Sequence, residues 1–130
     1  MTDERIDPKA QAEILKKSPP PADAVEAAKA VNQITLSLSS NGGYIKLNWD
    51  VTGPVAKYDY VALSDQDPRD NAWTYLTNQW QWVTNVSNPG SYQTGTSADN
   101  RAYWVFYAGW DYVSGSYKIA KVEGPKTVSS

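Results

Sequence analysis

Apolar and polar residues alternate with a period of two from residue 34 onward, which is the pattern of half-buried β-strands. The alternation predicts a first strand from Ile34 to Leu38 and a second from Tyr44 to Val51. Between them, residues 39–43 form a hairpin loop in which Asn41-Gly42 is the strongest turn signal. Since side chains of a strand alternate between its faces, one set in the second strand faces inward: Ile45, Leu47, Trp49 and Val51.

Further strands follow at short intervals, each bounded by turn residues. The pattern predicts strands over residues 58–64, 73–76, 79–85, 92–97 and 117–123. The strand over residues 92–97 is polar, which is typical of the edge of a sheet.

The most aromatic stretch runs from Ala102 to Gly115 and predicts a central strand, entered by a turn at residues 98–100. One face carries Trp104, Phe106, Ala108 and Trp110, and the other carries Tyr103, Val105 and Tyr107. Because both faces are largely apolar, we expect one to lie on the core. The other is either covered or used for recognition.

Seven or eight short strands, with no helical period after residue 32, predict an all-β fold. An immunoglobulin-like antiparallel β-sandwich over residues 33–124 is the first choice, and a small barrel is the alternative. Trp49 or Tyr60 is expected to be its buried core aromatic residue. Gly124-Pro125 begins a polar tail, residues 125–130.

Residues 1–32 have a different composition, rich in Ala, charged residues and Pro and without any aromatic residue. They predict a short helix over residues 9–17, with Asp7 as N-cap, Pro8 in the first position and a narrow apolar stripe of Ile14 and Leu15. Three prolines, residues 19–21, then end it, and a second short helix reaches from Asp23 to Val31. This N-terminal arm is either a mobile tail or a segment that docks on its own domain or on a second subunit, which makes a homo-oligomer possible.

Composition excludes several classes of function. The chain has no cysteine and no histidine, which removes disulfides, thiolate metal sites and the commonest general base. Its net charge of −2 shows no footprint for nucleic acid or an anionic membrane, and no apolar run is long enough to span a bilayer. No secretory signal is evident at Met1, although a form starting there could hide one, so the compartment stays open.

Three segments resemble the strand pattern of SKICH-type immunoglobulin-like domains. They are Tyr58-Asp59-Tyr60-Val61-Ala62-Leu63, the Trp80-Gln81-Trp82 segment and Tyr103-Trp104-Val105-Phe106-Tyr107. Ala62 stands where that family usually has glycine. The resemblance covers strand order over about residues 34–124 and implies a non-catalytic adaptor or targeting domain, with no ligand-binding residues that can be matched.

The aromatic supply is unusual, with six Trp and nine Tyr but one Phe. Trp and Tyr are favoured where one end of the side chain is wet, and sugar rings stack on such faces. A carbohydrate-binding, lectin-like module is therefore the leading hypothesis, and a protein partner bound through the same aromatic surface is the alternative. The opposing interpretation is that Trp80 and Trp82 pack between the sheets. The candidate ligand-binding residues are Trp73, Tyr75, Asn78, Trp80, Trp82, Trp110, Asp111 and Tyr112.

Metal binding and catalysis find little support in the sequence. The loop over residues 64–70 offers Asp65, Asp67 and Asp70, but it lacks the glycine and closing glutamate of a calcium loop and is predicted to be a solvated turn. A glycosidase built on two carboxylates among Asp59, Asp65 and Asp111 is not formally excluded. We expect no enzymatic activity and no cofactor.

Overall fold

The computed structural model describes residues 8–17, 33–52, 55, 58–69, 75–76, 79–111 and 114–129. One helix, α1 (Pro8–Lys16), precedes the strands β1 (Gln33–Asn41), β2 (Tyr44–Thr52), β3 (Tyr60–Ser64) and β4 (Trp80–Trp82). A 3-10 turn over Val83–Asn85 follows, and then β5 (Gly90–Ser97), β6 (Asp99–Asp111) and β7 (Ser116–Ser129).

The strands form two antiparallel sheets, one of three strands in the order β1-β2-β5 and one of four in the order β4-β3-β6-β7. The predicted all-β sandwich is confirmed. The first, second and fifth strands share one sheet and the third, sixth and seventh share the other, which is the division found in immunoglobulin-like sandwiches. The short β4 lies beside β3. As predicted, the polar β5 lies at a sheet edge.

The main core lies between the two sheets. The four inward residues predicted for β2 are at most 5% exposed, and they meet Val61 and Leu63 of β3 and Val105 and Tyr107 of β6. Trp49 supplies the large aromatic residue of this layer, and its indole Nε1 donates a hydrogen bond of 2.7 Å to the carbonyl oxygen of Ser87. Burying this polar atom therefore leaves no donor unsatisfied.

Strand β6 is central, with β3 on one side and β7 on the other, as the sequence predicts. Its Tyr103, Val105 and Tyr107 face the inter-sheet core. The opposite face of the same sheet carries a second cluster, which we call the outer aromatic cluster. It consists of Tyr60, Ala62, Trp80, Trp82, Phe106 and Ala108.

Several predicted strand ends are wrong. Strand β6 begins at Asp99 rather than Ala102, and β4 ends at Trp82 because a 3-10 turn follows. Strand β7 does not stop before a polar tail but continues through Gly124 and Pro125 to Ser129, and Val128 is buried in the core. Gly124 has a φ of 134°, which a side chain disfavours, so the turn-like dipeptide marks an irregularity inside the strand. Tyr75 and Leu76 are not in a strand. Trp73 and Thr74 lie outside the described residues.

Helix α1 packs on its own domain against β7. The buried residues, Pro8, Gln11 and Leu15, recur at helical spacing, whereas Ile14 is 48% exposed, so the predicted Ile14–Leu15 stripe is corrected. The predicted cap Asp7 and the predicted second helix lie outside the described residues. Within the described part of the chain, no helix is long and apolar enough to cross a membrane.

Candidate functional site

A groove of about 660 Å³ lies between α1 and the outer face of the four-stranded sheet. We call it the α1 groove. Helix α1 forms one wall, the loop after β3 contributes Arg69 and Tyr75, and β7 contributes the run Ser116–Ile119. Tyr60 of β3 lies at the floor. The groove exists because α1 covers only part of the apolar outer face.

Aromatic rings hold one another in place along this groove. The ring centroids of Tyr60 and Tyr117 are 5.0 Å apart and those of Tyr60 and Tyr75 are 5.9 Å apart, both in edge-to-face geometry. Trp110 packs behind Tyr117 at 5.1 Å. The hydroxyl of Tyr117 donates a hydrogen bond of 2.9 Å to the carbonyl oxygen of Tyr58. These contacts fix the orientation of the two half-buried rings, Tyr75 and Tyr117, at the groove surface.

The polar part of the lining is cationic. Lys9 Nζ lies 5.4 Å from the Tyr75 ring centroid, which is cation–π geometry, and it ties α1 to the loop. Arg69 binds Asp67 with two hydrogen bonds, Nε to Oδ1 at 2.9 Å and Nη2 to Oδ2 at 3.0 Å. These hydrogen bonds from Arg69 lower the pKa of Asp67, so the pair remains ionic through the neutral range. Lys16 and Lys118 complete the rim.

The indoles predicted to bind a ligand are not at the surface. Trp80 is 1% exposed, and Trp82 and Trp110 are each 8% exposed. Trp80 and Trp82 share a face of β4, as alternate residues of a strand do, with ring centroids 4.9 Å apart. They lie in the outer aromatic cluster rather than between the sheets. The expectation of exposed indole faces at these three positions is therefore corrected, because side chains of the sheet cover them.

Two of the remaining predicted residues, Tyr75 and Asp111, are among the described residues. Tyr75 is half-buried and lines the α1 groove. Asp111 lies at the end of β6, where its carbonyl oxygen accepts a hydrogen bond of 2.9 Å from the backbone N–H of Gly115. Trp73, Asn78 and Tyr112 lie outside the described residues. Of the predicted residues that the structure describes, only Tyr75 lines the groove.

Sequence reasoning missed most of the groove. Tyr117 directly follows Ser114-Gly115-Ser116, whose residue types favour a turn between the aromatic strand and the strand over residues 117–123, so its position after a hairpin turn was a usable signal. Lys9 and Lys118 carried no such signal, because they belong to segments more than 100 residues apart along the sequence. Only the docking of α1 beside β7 brings them to one groove.

A buried carboxylate lies away from the groove, in the sheet interior. Asp59 is 7% exposed, and Tyr107 donates a hydrogen bond of 2.6 Å from its hydroxyl to Asp59 Oδ2. Burial first, and the adjacent Asp59 carboxylate second, raise the pKa of Tyr107 far above its ordinary value. This pair joins β6 to the segment entering β3, which is a structural role. Among the described residues, no group of three or more acidic side chains could hold a metal ion.

A second crevice, of about 430 Å³, separates β1 from β7. It is lined by Leu36, Leu38, Glu123 and Lys126 among others, and its described lining includes no aromatic ring. Opposite charges at its rim and the lack of ring faces make it the weaker candidate for recognition.

No family model, no curated protein and no solved structure matches this chain. The resemblance to SKICH-type domains therefore stays a prediction. The function has to be argued from the geometry of the groove.

Proposed function

We propose that the chain is a non-catalytic carbohydrate-binding module whose ligand lies in the α1 groove. The observation that carries this proposal is the pair of half-buried tyrosine rings, Tyr75 and Tyr117, which are held in fixed orientations beside hydroxyl and ammonium groups. Of the indoles first expected to stack on a sugar, Trp110 packs instead against Tyr117, and Trp82 packs against Tyr60.

A sugar ring needs two kinds of partner, an aromatic face for its C–H groups and polar atoms for its hydroxyls. The groove offers both: ring surface from Tyr75 and Tyr117, the hydroxyl of Ser116, and donors from lysines at the rim. Its volume of about 660 Å³ falls within the range of roughly 300–1,000 Å³ that is typical of small-molecule sites.

Preorganisation also favours the groove. The Tyr117 ring packs between Tyr60 and Trp110, and its hydroxyl is hydrogen-bonded to the backbone. Little side-chain entropy is then lost when a ligand binds, so weak stacking contacts contribute more of their energy to affinity.

The residues that line the groove support binding rather than catalysis. Among the described lining residues there is no carboxylate, which a glycosidase needs in pairs. The hydroxyl of Ser116 lies 3.0 Å from that of Ser114, and among the described lining residues no histidine or carboxylate accompanies it as a general base.

The alternative, a self-assembling subunit that uses the N-terminal arm, receives less support. The apolar face of α1 is buried against the helix's own domain, and Leu15 is 5% exposed. This face is therefore already occupied in the monomer.

The test is a screen of neutral and acidic oligosaccharides on a glycan array, followed by calorimetry of the best ligand. We expect Tyr75→Ala to weaken binding about tenfold or more, because aromatic anchors dominate binding sites. Tyr44→Ala is the matched control, since Tyr44 is 42% exposed on the other sheet and should leave affinity unchanged. Equal loss in both variants, or binding that persists in Tyr75→Ala, would place the ligand elsewhere.

A further inference from the structure

The α1 groove is lined by basic side chains, although the chain as a whole has a negative net charge. The chain carries 12 basic and 14 acidic residues, and its net charge is −2. Four of the basic residues, Lys9, Lys16, Arg69 and Lys118, line this one groove, and no acidic residue lines it among the described residues. A groove walled by one sign of charge focuses the field and raises the local concentration of ligands of the opposite sign.

The cations come from three separate elements that meet only in the folded state. Lys9 and Lys16 lie seven positions apart on α1, which places them on one side of the helix at the spacing of two turns. Arg69 follows β3, and Lys118 lies in β7. A solvated face of a single helix would not bring in cations from a loop and a strand.

Lys16 and Arg69 each pair with a described carboxylate, and both carboxylates lie outside the described groove lining. Lys16 Nζ is 3.1 Å from Glu13 Oε1, and Arg69 Nε is 2.9 Å from Asp67 Oδ1. Lys118 has no ion pair with another described residue, so its ammonium group can meet a ligand without breaking a contact.

We propose that the ligand of the α1 groove is an anionic oligosaccharide, one that carries carboxylate or sulfate groups on its sugar rings. This inference rests on the proposed carbohydrate-binding function and adds the charge of the ligand to it. The tyrosine rings contact the apolar face of a sugar ring, and the lysines at the rim bind its anionic substituents. Neutral oligosaccharides of the same ring structure bind more weakly.

The arrangement fits a sugar better than an acidic peptide. Within the described residues, the groove offers aromatic faces at Tyr75 and Tyr117 in its interior and charge at its rim. An anionic sugar has this division, since its ring carbon atoms form an apolar face and its acidic groups project outward. A peptide strand would instead need a row of backbone partners, whereas Tyr60, Tyr117 and Ile119 present side chains of the sheet's outer face to the groove.

Calorimetry of the full chain with matched probes tests the inference. A trimer of galacturonate is compared with its fully methyl-esterified form, which keeps the rings and linkages but removes the charge. A heparin-derived tetrasaccharide supplies sulfate, a neutral set of cellotetraose, xylotetraose and maltotetraose supplies uncharged rings, and hexaglutamate supplies an acidic peptide. We expect at least one anionic sugar to bind about tenfold more tightly than every neutral sugar and more tightly than hexaglutamate.

The charge variants then locate the effect. Lys118→Gln should weaken binding of the anionic sugar about fivefold, which corresponds to the upper range of interaction energies measured for exposed ion pairs. In the wild type, affinity for the anionic sugar should fall as the sodium chloride concentration rises from about 50 to 500 mM, because salt screens these charges. Lys126→Gln is the matched control, since it removes the same charge from the same strand outside the groove. Affinity for the neutral sugars should not change in Lys118→Gln.

The outcomes separate the two proposals. Equal affinity for the galacturonate trimer and its ester, or binding of neutral sugars alone, would overturn the anionic ligand and leave the carbohydrate-binding function standing. Binding of hexaglutamate alone would overturn both in favour of a protein partner. If none of the probes binds, both proposals are overturned. If Lys118→Gln and Lys126→Gln lose the same affinity for the anionic sugar, the effect comes from the overall charge of the protein, and the anionic ligand of the groove is overturned.

Discussion

Replacing Tyr107 by Phe removes one hydroxyl from the sheet interior and tests whether the buried carboxylate depends on it. Tyr107 is 2% exposed and Asp59 is 7% exposed, so water cannot take the place of the lost donor without opening the sheet. A hydrogen bond to a charged group contributes about 1.5–3 kcal/mol, and a buried acceptor left without its donor costs the upper part of that range. We expect Tyr107→Phe to lower the free energy of unfolding by about 2.5 kcal/mol.

Tyr103→Phe is the matched control, since it makes the same change on the same strand. The hydroxyl of Tyr103 donates a hydrogen bond of 3.2 Å to Asp99 Oδ1, but Asp99 is exposed. Because water can solvate that carboxylate, the expected loss is below about 1 kcal/mol.

Urea unfolding monitored by tryptophan fluorescence measures both variants. With an m-value of about 1.5 kcal/mol/M, the expected loss in Tyr107→Phe shifts the midpoint down by roughly 1.7 M. A midpoint within about 0.3 M of that of Tyr103→Phe would refute the reasoning, since burial of the acceptor would then make no difference.

Three further outcomes follow from the same structure. The raised pKa of Tyr107 keeps its hydroxyl protonated in the folded state, so the stabilising effect of this tyrosine is complete below about pH 10 and decreases above it. The difference in the free energy of unfolding between the wild type and Tyr107→Phe should therefore be about 1.4 kcal/mol smaller at pH 11 than at neutral pH. A difference that does not change with pH would contradict this. Gly109→Ala places a Cβ 2.9 Å from the buried Asp59 carboxylate and should lower the free energy of unfolding by about 1–3 kcal/mol. Gly95→Ala is the control, since its Cβ would lie 3.6 Å from the nearest atom and should have almost no effect. Equal losses of stability in the two variants would show that crowding at Gly109 is not the cause. Leu15→Ala should speed amide exchange in α1 about 30-fold, while Ile14→Ala should not; unchanged exchange in Leu15→Ala means that the helix is held by other contacts.

The sandwich was predictable because its signals are local. The alternation in β2 reports directly on which side chains face the core, and the two positive-φ glycines at Gly42 and Gly43 complete the hairpin that Asn41-Gly42 indicated. The two apolar faces of β6 likewise predicted a central strand. The end of β7 was not predictable in the same way, because Gly124-Pro125 has the local chemistry of a turn and is kept in the strand by pairing with β6.

The site was less predictable, because exposure depends on what covers a surface. Trp80 and Trp82 have the alternation of a ligand-binding strand, but nothing in their own segment indicates that the sheet's outer face is filled by Tyr60 and Phe106. The docking of α1 is a contact between segments remote in sequence, and the charge of the groove depends on it. Local patterns therefore identified Tyr75 and missed Lys118.

Backbone chemical-shift mapping shows directly whether an anionic sugar binds in the α1 groove. The ¹⁵N-labelled protein is titrated with the galacturonate trimer and with the heparin-derived tetrasaccharide, and each shifted amide is located on the fold. We predict that one of these sugars shifts the amides of Tyr75, Tyr117 and Lys118 together with those of α1, in a saturable manner. Shifts confined to the crevice between β1 and β7, or no saturable shift with either sugar, would contradict it.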